Sequence, residues 1–476
     1  MTSISDEDPL QIPLTFLTAA STHSLPTLRD LTKSHPALAS AASTQYGQSA
    51  LHLAVTAIED IHERAPTAPE TDPWANAVES VKILLQSGAV WNELDCEGKT
   101  PGCVAWDMLQ ERKRKLAARE TGEKERVEKE VEALGRVYEV IVEAGVRAEV
   151  LLARMEELGL GGGAEESDEE EEEGKDKEDE KETLQDEKPE EDGEKEIEGP
   201  DKKKQKLDTA PDTTVDVVDV NSTDYLTSKL EYGTSKAQTT LLDSDSNGVM
   251  MSWETKIMQE SVTHLIPPAP STSPPSPFRI LNVGFGLGII DTAIQARLTS
   301  YPNAHHIISE AHPDVLQHLR ETGWYNKSNV TIIPGRWQDS IDALISAAYD
   351  PLPSSSSTPG SGYDAIYFDT FAEPYTALKQ FFSELVISSM SPTGRFGFFH
   401  GLGADRRVAY DVYTKVVEMD LWDAGLGVEW WEVEVEEVVR EETWRGVRRR
   451  YWDVGGVYRG PVCRFLAVGE EEEEEE

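Results

Sequence analysis

The chain has 476 residues, and at roughly 100–200 residues per domain that length calls for two or three folded units. Its 45 Lys and Arg against 89 Asp and Glu give a formal net charge of −44, which excludes a protein that holds nucleic acid by a general basic surface. Three cysteines (Cys96, Cys103, Cys463) cannot build a disulfide framework or a C-x-x-C pair, and no uncharged apolar run approaches the ~18 residues of a membrane helix, so a soluble intracellular protein is expected, with no metal, no membrane and no direct nucleic-acid partner.

Residues 1–160 read as helices joined by short turns. Gly47-Gln48-Ser49-Ala50-Leu51-His52-Leu53-Ala54 aligns over Gly98-Lys99-Thr100-Pro101-Gly102-Cys103-Val104-Ala105 at a shift of 51. Both follow the G-x-T-P-L-H-x-A pattern of ankyrin repeats, whose period is about 33 residues. The surplus is assigned to an insertion at the Pro-rich stretch 63–75, ahead of a helix carrying Val81, Leu84 and Leu85. The charged stretch 110–130 predicts an extended, solvated helix, and a further helix pair follows around 137–145. The expected unit is an all-α ankyrin-like module that presents a surface.

Residues 165–199 hold 21 acids and 5 lysines, and 470–476 is all glutamate. With few aromatic or β-branched residues, 161–213 reads as a disordered acidic linker, and 470–476 as an acidic tail. The lysine-rich run at 202–206 serves either as a nuclear address or as a local counter-charge.

From 214 to 469 strand and helix patterns alternate, which predicts an α/β domain with a mainly parallel, seven-stranded sheet. Strands are expected at 279–284, 306–310, 330–334, 364–369, 394–400, 428–435 and 462–468. The first runs into Gly284-Phe285-Gly286-Leu287-Gly288-Ile289-Ile290. Glycine there lets the backbone turn tightly and approach a ligand without a Cβ clash. The spacing lacks the third glycine position of a dinucleotide fingerprint and matches the turn that cradles the methionine part of S-adenosylmethionine. Glu310 ends the next strand, where a carboxylate can accept both ribose hydroxyls of a nucleoside. After the third strand, Trp337 and Gln338 offer a ring to stack on adenine and an amide to bond it, although Trp337 would serve equally as a core residue. Asp369 ends the fourth strand, and Glu254 lies upstream of the glycine turn. Two carboxylates facing one pocket suit a guanidinium, whose planar fork they can clamp.

The segments VMMSWETKIM, LNVGFGLGIIDTA, IISEAHPDVLQHL, GRWQDSI and YDAIYFDTF, in that order, resemble the guanidinoacetate N-methyltransferase family. With the ankyrin-like N-terminus they resemble more closely the fungal protein arginine N-methyltransferase 2 family, type IV enzymes that methylate the δ nitrogen. The resemblance implies a class I, Rossmann-like S-adenosylmethionine-dependent methyltransferase. It assigns Phe285, Gly286, Leu287, Gly288, Ile289, Ile290, Glu310, Ala311, His312, Trp337 and Gln338 to the cofactor, with Met258 and Tyr232 closing over it. Asp369 falls where a carboxylate meets both the sulfonium and the guanidino group, and Glu254 where the second guanidino-binding acid sits. The implied substrate is an arginine in a protein, a large-subunit ribosomal protein, reached through the ankyrin-like module; a monomer of cytoplasm and nucleus is expected. Two other readings compete: a small-molecule guanidino methyltransferase, and a non-catalytic acidic chaperone for basic proteins.

Overall fold

The computed structural model describes residues 11–59, 61, 72–118, 124–160, 223–234, 238–269, 277–301, 303–351, 360–371 and 373–467. The linker 161–213 with its lysine run, most of the Pro-rich insertion, Val468 and the tail 470–476 lie outside the described residues.

Seven helices come first: α1 (Gln11–Ser21), α2 (Leu25–Ser34), α3 (Leu38–Ala41), α4 (Ala50–Thr56), α5 (Pro73–Gln86), α6 (Pro101–Ala118) and α7 (Lys124–Glu157). The two similar segments do the same local work. Ser49 caps α4, its side chain taking the His52 N–H at 3.4 Å, and Thr100 Oγ1 takes the Cys103 N–H at 3.1 Å at the start of α6. They are also tied to each other, because His52 Nε2 meets the Lys99 carbonyl at 3.0 Å and Cys96 N–H donates to the Tyr46 carbonyl at 3.1 Å. The charged stretch 110–130 is mostly exposed, as expected, but it is shared by the end of α6 and the start of α7. Glu130 is its buried acid, paired with Arg112 at 2.8 Å and Arg126 at 3.2 Å. Val127, Leu134, Val137, Ile141 and Val142 give α7 one apolar stripe that packs inward.

The second part contains α8 (Thr223–Thr227), a small sheet of β1 (Glu231–Thr234), β2 (Thr239–Leu242) and β3 (Gly248–Met251), and then α9 (Thr255–Leu265). The large sheet follows as β4 (Arg279–Val283), β5 (His305–Glu310), β6 (Val330–Pro334), β7 (Tyr363–Phe368), β8 (Met390–Phe398), β9 (Leu426–Glu434) and β10 (Val457–Phe465). Its helices are α10 (Ile289–Leu298), α11 (Pro313–Glu321), α12 (Ile341–Tyr349), α13 (Tyr375–Gln380), α14 (Ile387–Ser389) and α15 (Arg407–Asp423). The strand order is β6-β5-β4-β7-β8-β10-β9, parallel from β6 to β8, with β10 antiparallel to both its neighbours. All seven expected strands are present, shifted by a few residues at their ends. This order reverses direction of growth at β4, which opens a crevice at the carboxyl ends of β4, β5 and β7. The three-stranded β1–β3 sheet was not expected from the sequence.

Helix α15 buries residues on two of its faces. Val408, Ala409, Val412 and Val416 face the helical region and belong to its core, whereas Val417 and Leu421 join the core under the large sheet. The N-terminal helices as far as Leu151 and the sheet domain therefore form one compact unit. Asp411 fixes the seam: its carboxylate takes the Tyr138 hydroxyl at 2.7 Å, Arg407 at 2.9 Å and Arg459 at 2.8 Å. Gly102 allows the close approach, since a Cβ there would sit 2.5 Å from Val408 Cγ2. All three cysteines are free thiols, and no helix of the described residues is long and apolar enough to cross a membrane.

Candidate active site

The turn after β4 is fixed by the strands beside it. Gly284 N–H donates to the Ser309 carbonyl, and Asp369 N–H donates to the Val283 carbonyl, both at 2.9 Å, so the ends of β5 and β7 meet at the turn. Gly284 has φ +90°, and a Cβ on it would lie 2.0 Å from the Asp369 carbonyl oxygen. Only glycine fits there. Beneath the turn Asn282 donates to the Gly284 carbonyl at 2.7 Å and to Asp291 at 3.0 Å, and Asp291 meets buried His306 at 3.2 Å.

Glu310 is buried, not a solvated strand end. Its Oε2 accepts the Phe285 N–H at 2.8 Å and its Oε1 accepts the His312 N–H at 2.7 Å, so one carboxylate ties the glycine turn to the loop after β5. Burial pushes its pKa up, opposed by the backbone N–H groups of His312, Phe285 and Ala311. Each oxygen still has a lone pair for a ligand hydroxyl.

Asp369 and Glu254 lie close enough for the charge of Glu254 to be the chief charge acting on Asp369. Burial and then that repulsion hold Asp369 well above the usual carboxylate range. Its Oδ2 is fully buried and has no hydrogen-bond partner among the described residues. Glu254, 3% exposed, sits in the single 3₁₀ turn between β3 and α9. Its Oε1 accepts the Met251 N–H at 2.9 Å and the Tyr451 hydroxyl at 2.5 Å. Burial pushes it up to about 7, against those two bonds. Two carboxylates, with no cation between them among the described residues, are held at the carboxyl edge of the sheet.

The other expected residues divide. Tyr232 reaches the turn, its hydroxyl donating to the Gly286 carbonyl at 3.3 Å while its ring stacks on His318 at 4.3 Å. Met258 is fully buried beside Tyr367, whose hydroxyl lies 3.6 Å from its sulfur. Leu287, Ile289 and Ala311 are half-buried around the turn, and Phe285, Gly288 and Ile290 are buried. His312 is committed to structure: Nδ1 accepts the Asp314 N–H at 3.1 Å, capping α11, and Nε2 faces the Tyr225 carbonyl at 3.2 Å. Trp337 corrects an expectation, because it is a core residue. It is 3% exposed, edge-on to Phe368 and Phe381, and offers no open face to an adenine. Its indole N–H and the Gln338 amide both donate to Glu373, which also takes the Thr370 hydroxyl at 2.9 Å. Trp337 and Gln338 thus brace the loop that carries Asp369.

Met250, Tyr367, Glu373 and Tyr451 are the site residues that sequence reasoning missed. Met250 in β3 closes on the turn, its sulfur taking the Leu287 N–H at 3.3 Å. Its signal, two methionines beside Trp253-Glu254, was legible; Tyr451 had none, lying 197 positions from the carboxylate it binds.

The guanidinoacetate N-methyltransferase family model matches residues 222–372, the stretch that holds the glycine turn and both carboxylates. Over most of its length the chain is similar to Protein arginine N-methyltransferase 2 of Aspergillus fumigatus, 39% identical over 469 residues, covering 94% of this chain and 95% of that protein. The protein of the same name from Saccharomyces cerevisiae is 34% identical over 381 residues, covering 80% of this chain and 76% of that protein. The chain belongs to the protein arginine N-methyltransferase 2 family. Its members are arginine methyltransferases, and this protein is an enzyme that methylates arginine with S-adenosylmethionine as cofactor. Among solved structures, the O-methyltransferase TomG of Streptomyces achromogenes is similar at a TM-score of 0.28 and 13% identity, covering 45% of this chain and 79% of that one, a likeness too slight to add to the strand order. The site itself fits the family's cofactor: a close-approach glycine turn stands beside a buried, unpartnered carboxylate oxygen that a cation would satisfy.

Proposed function

We propose that the enzyme methylates the internal δ nitrogen of an arginine in a protein, a large-subunit ribosomal protein being the expected acceptor. The observation that carries this reading is the pair Asp369 and Glu254, a half-buried and a buried carboxylate without a counter-cation among the described residues, Asp369 having one buried, unpartnered oxygen. A guanidinium supplies the missing charge and a planar fork of donors. When bound, S-adenosylmethionine supplies an electrophilic methyl group. The glycine turn from Phe285 to Ile290, Glu310 and Ala311 would hold it, with Tyr232 and Met258 closing the site. Asp369 and Glu254 orient the guanidinium and exclude water around it. A guanidinium, with a pKa above about 12, is a poor nucleophile until one N–H is directed at an acceptor. Asp369 Oδ2 takes the proton that leaves the methylated nitrogen, and its raised affinity for protons suits it to that step.

The tied helical segments around Ser49 and Thr100 support an ankyrin-like repeat pair that receives the protein substrate. A monomer active in cytoplasm and nucleus completes the reading. The test incubates the protein with labelled S-adenosylmethionine and, separately, a ribosomal-protein fraction, histones or guanidinoacetate, and locates the methyl group by mass fragmentation. Label on the δ nitrogen of a ribosomal-protein arginine is expected. Label confined to guanidinoacetate would move the enzyme to small-molecule chemistry, which the family match over 222–372 keeps in view; no label anywhere would favour an acidic chaperone.

A further inference from the structure

The connection between β9 and β10 crosses the small sheet and reaches Glu254. Its base is closed by Val435 N–H donating to the Gly456 carbonyl at 2.6 Å, and Arg448 N–H ties it to the Ser246 carbonyl, in the β2–β3 turn, at 2.9 Å. Within it the Trp444 and Trp452 indoles bond the loop's own carbonyls of Val438 and Gly455, each at 2.8 Å. Tyr451 is thus held in place, its ring edge-on to Trp444 at 5.1 Å and beside Trp253 at 5.8 Å, over Gly248, where a Cβ would lie 2.8 Å from it.

We infer that Tyr451 is a positioning residue for methyl transfer: its hydroxyl, with the Met251 N–H, occupies Glu254 Oε1, favours the ionised form of that carboxylate, and leaves Oε2 alone to meet the substrate guanidinium. Both donors converge on one oxygen, and Oε2 makes no hydrogen bond among the described residues. A phenol suits the task because burial, and then the charge of Glu254, push its pKa well above its ordinary value, so that it donates and never competes as an anion. The titratable groups facing Glu254 are Asp369 from the end of β7, Tyr367 within β7, and Tyr451; no cation among the described residues offsets them. The Tyr451 bond therefore stands against burial in keeping Glu254 charged. This inference rests on Glu254 as a guanidinium ligand.

The experiment compares the full chain with Tyr451→Phe, Glu254→Gln and the double variant. Transfer to the ribosomal-protein fraction is followed from pH 5.5 to 9, with S-adenosylmethionine affinity measured separately. Losing one hydrogen bond to a charged acceptor is expected to move the acid limb of kcat/KM up by about one pH unit, roughly 10-fold in rate below the limb, with cofactor affinity unchanged. Melting over the same range needs no methyl acceptor. The Tyr451→Phe penalty should grow as pH rises and become constant in the Glu254→Gln background, because only an ionising Glu254 makes it pH-dependent. An unmoved acid limb, or a melting penalty equal at every pH, would overturn the inference. Label on a terminal nitrogen in the unaltered enzyme would instead overturn the δ assignment and leave the role of Tyr451 standing.

Discussion

The helical region and the carboxyl edge of the large sheet bury polar groups in opposite ways. His52 is fully buried, and both its ring nitrogens are engaged, Nδ1 by the Ser49 N–H and hydroxyl and Nε2 by the Lys99 carbonyl. Burial lowers its pKa, so it stays neutral and acts as a cross-link between the two similar segments. Glu130, the buried acid of α7, has two arginines. At the sheet edge Asp369 has an oxygen with no partner, and Glu254 faces it with like charge. The helical region pairs most of its buried polar groups within itself, whereas the sheet edge holds an electrostatic conflict that a cationic ligand relieves. Glu93, with a buried unpartnered oxygen and a pKa raised by burial, is an exception in the helical region.

The largest expected effect breaks the seam between the two. A fragment starting at residue 216 would expose Val408, Val412 and Val416, each worth about 1.5–3 kcal/mol when buried. It should lose roughly 5 kcal/mol and precipitate, recovering when residues 1–151 are co-expressed; a fragment that melts like the full chain would show the helices to be an independent module. Asp369→Asn is the next largest. It removes the unpartnered charge and should lower kcat roughly 10²–10³-fold while leaving cofactor affinity within a few-fold, and unchanged turnover would take Asp369 out of the reaction.

Glu254 sharpens the electrostatic side. Its folded pKa, about 7, lies above the ordinary 4.5, so it contributes stability that is fully present below about pH 4.5 and lost as pH rises through 7. Chemical denaturation from pH 5 to 8 should therefore show the unaltered protein losing up to roughly 3 kcal/mol more than Glu254→Gln. Parallel curves would mean that Glu254 is not held protonated in the free enzyme. The smallest effect concerns Glu310→Ala, which frees the Phe285 and His312 N–H groups and should weaken S-adenosylmethionine binding about 10-fold, read by calorimetry. Equal affinity would leave Glu310 a brace of the turn alone.

Much of this site is legible in the chain because it lies on consecutive strand ends. Gly284, Glu310 and Asp369 each follow an apolar run of a buried parallel strand, and such runs announce both the strand and the edge it delivers. Strands β1–β3 escaped because each has four residues, too short for a period to show. Trp337 was misjudged because an aromatic residue after a strand reads alike whether it stacks on a ligand or on Phe368 and Phe381. Tyr451 was invisible because its partner is fixed by a loop crossing, which leaves no local pattern.

What the sequence by itself determined is where the seven large-sheet strands lie along the chain, the glycine turn and the acids at the strand ends, since backbone sterics and hydrophobic periodicity act locally. Tertiary structure alone decided that α15 is shared by two cores, that Trp337 serves the Asp369 loop, and that Glu254 is held by Tyr451. Those outcomes depend on which side chains meet after long stretches of chain close on one another, and burial sets the charge of each only once they have met.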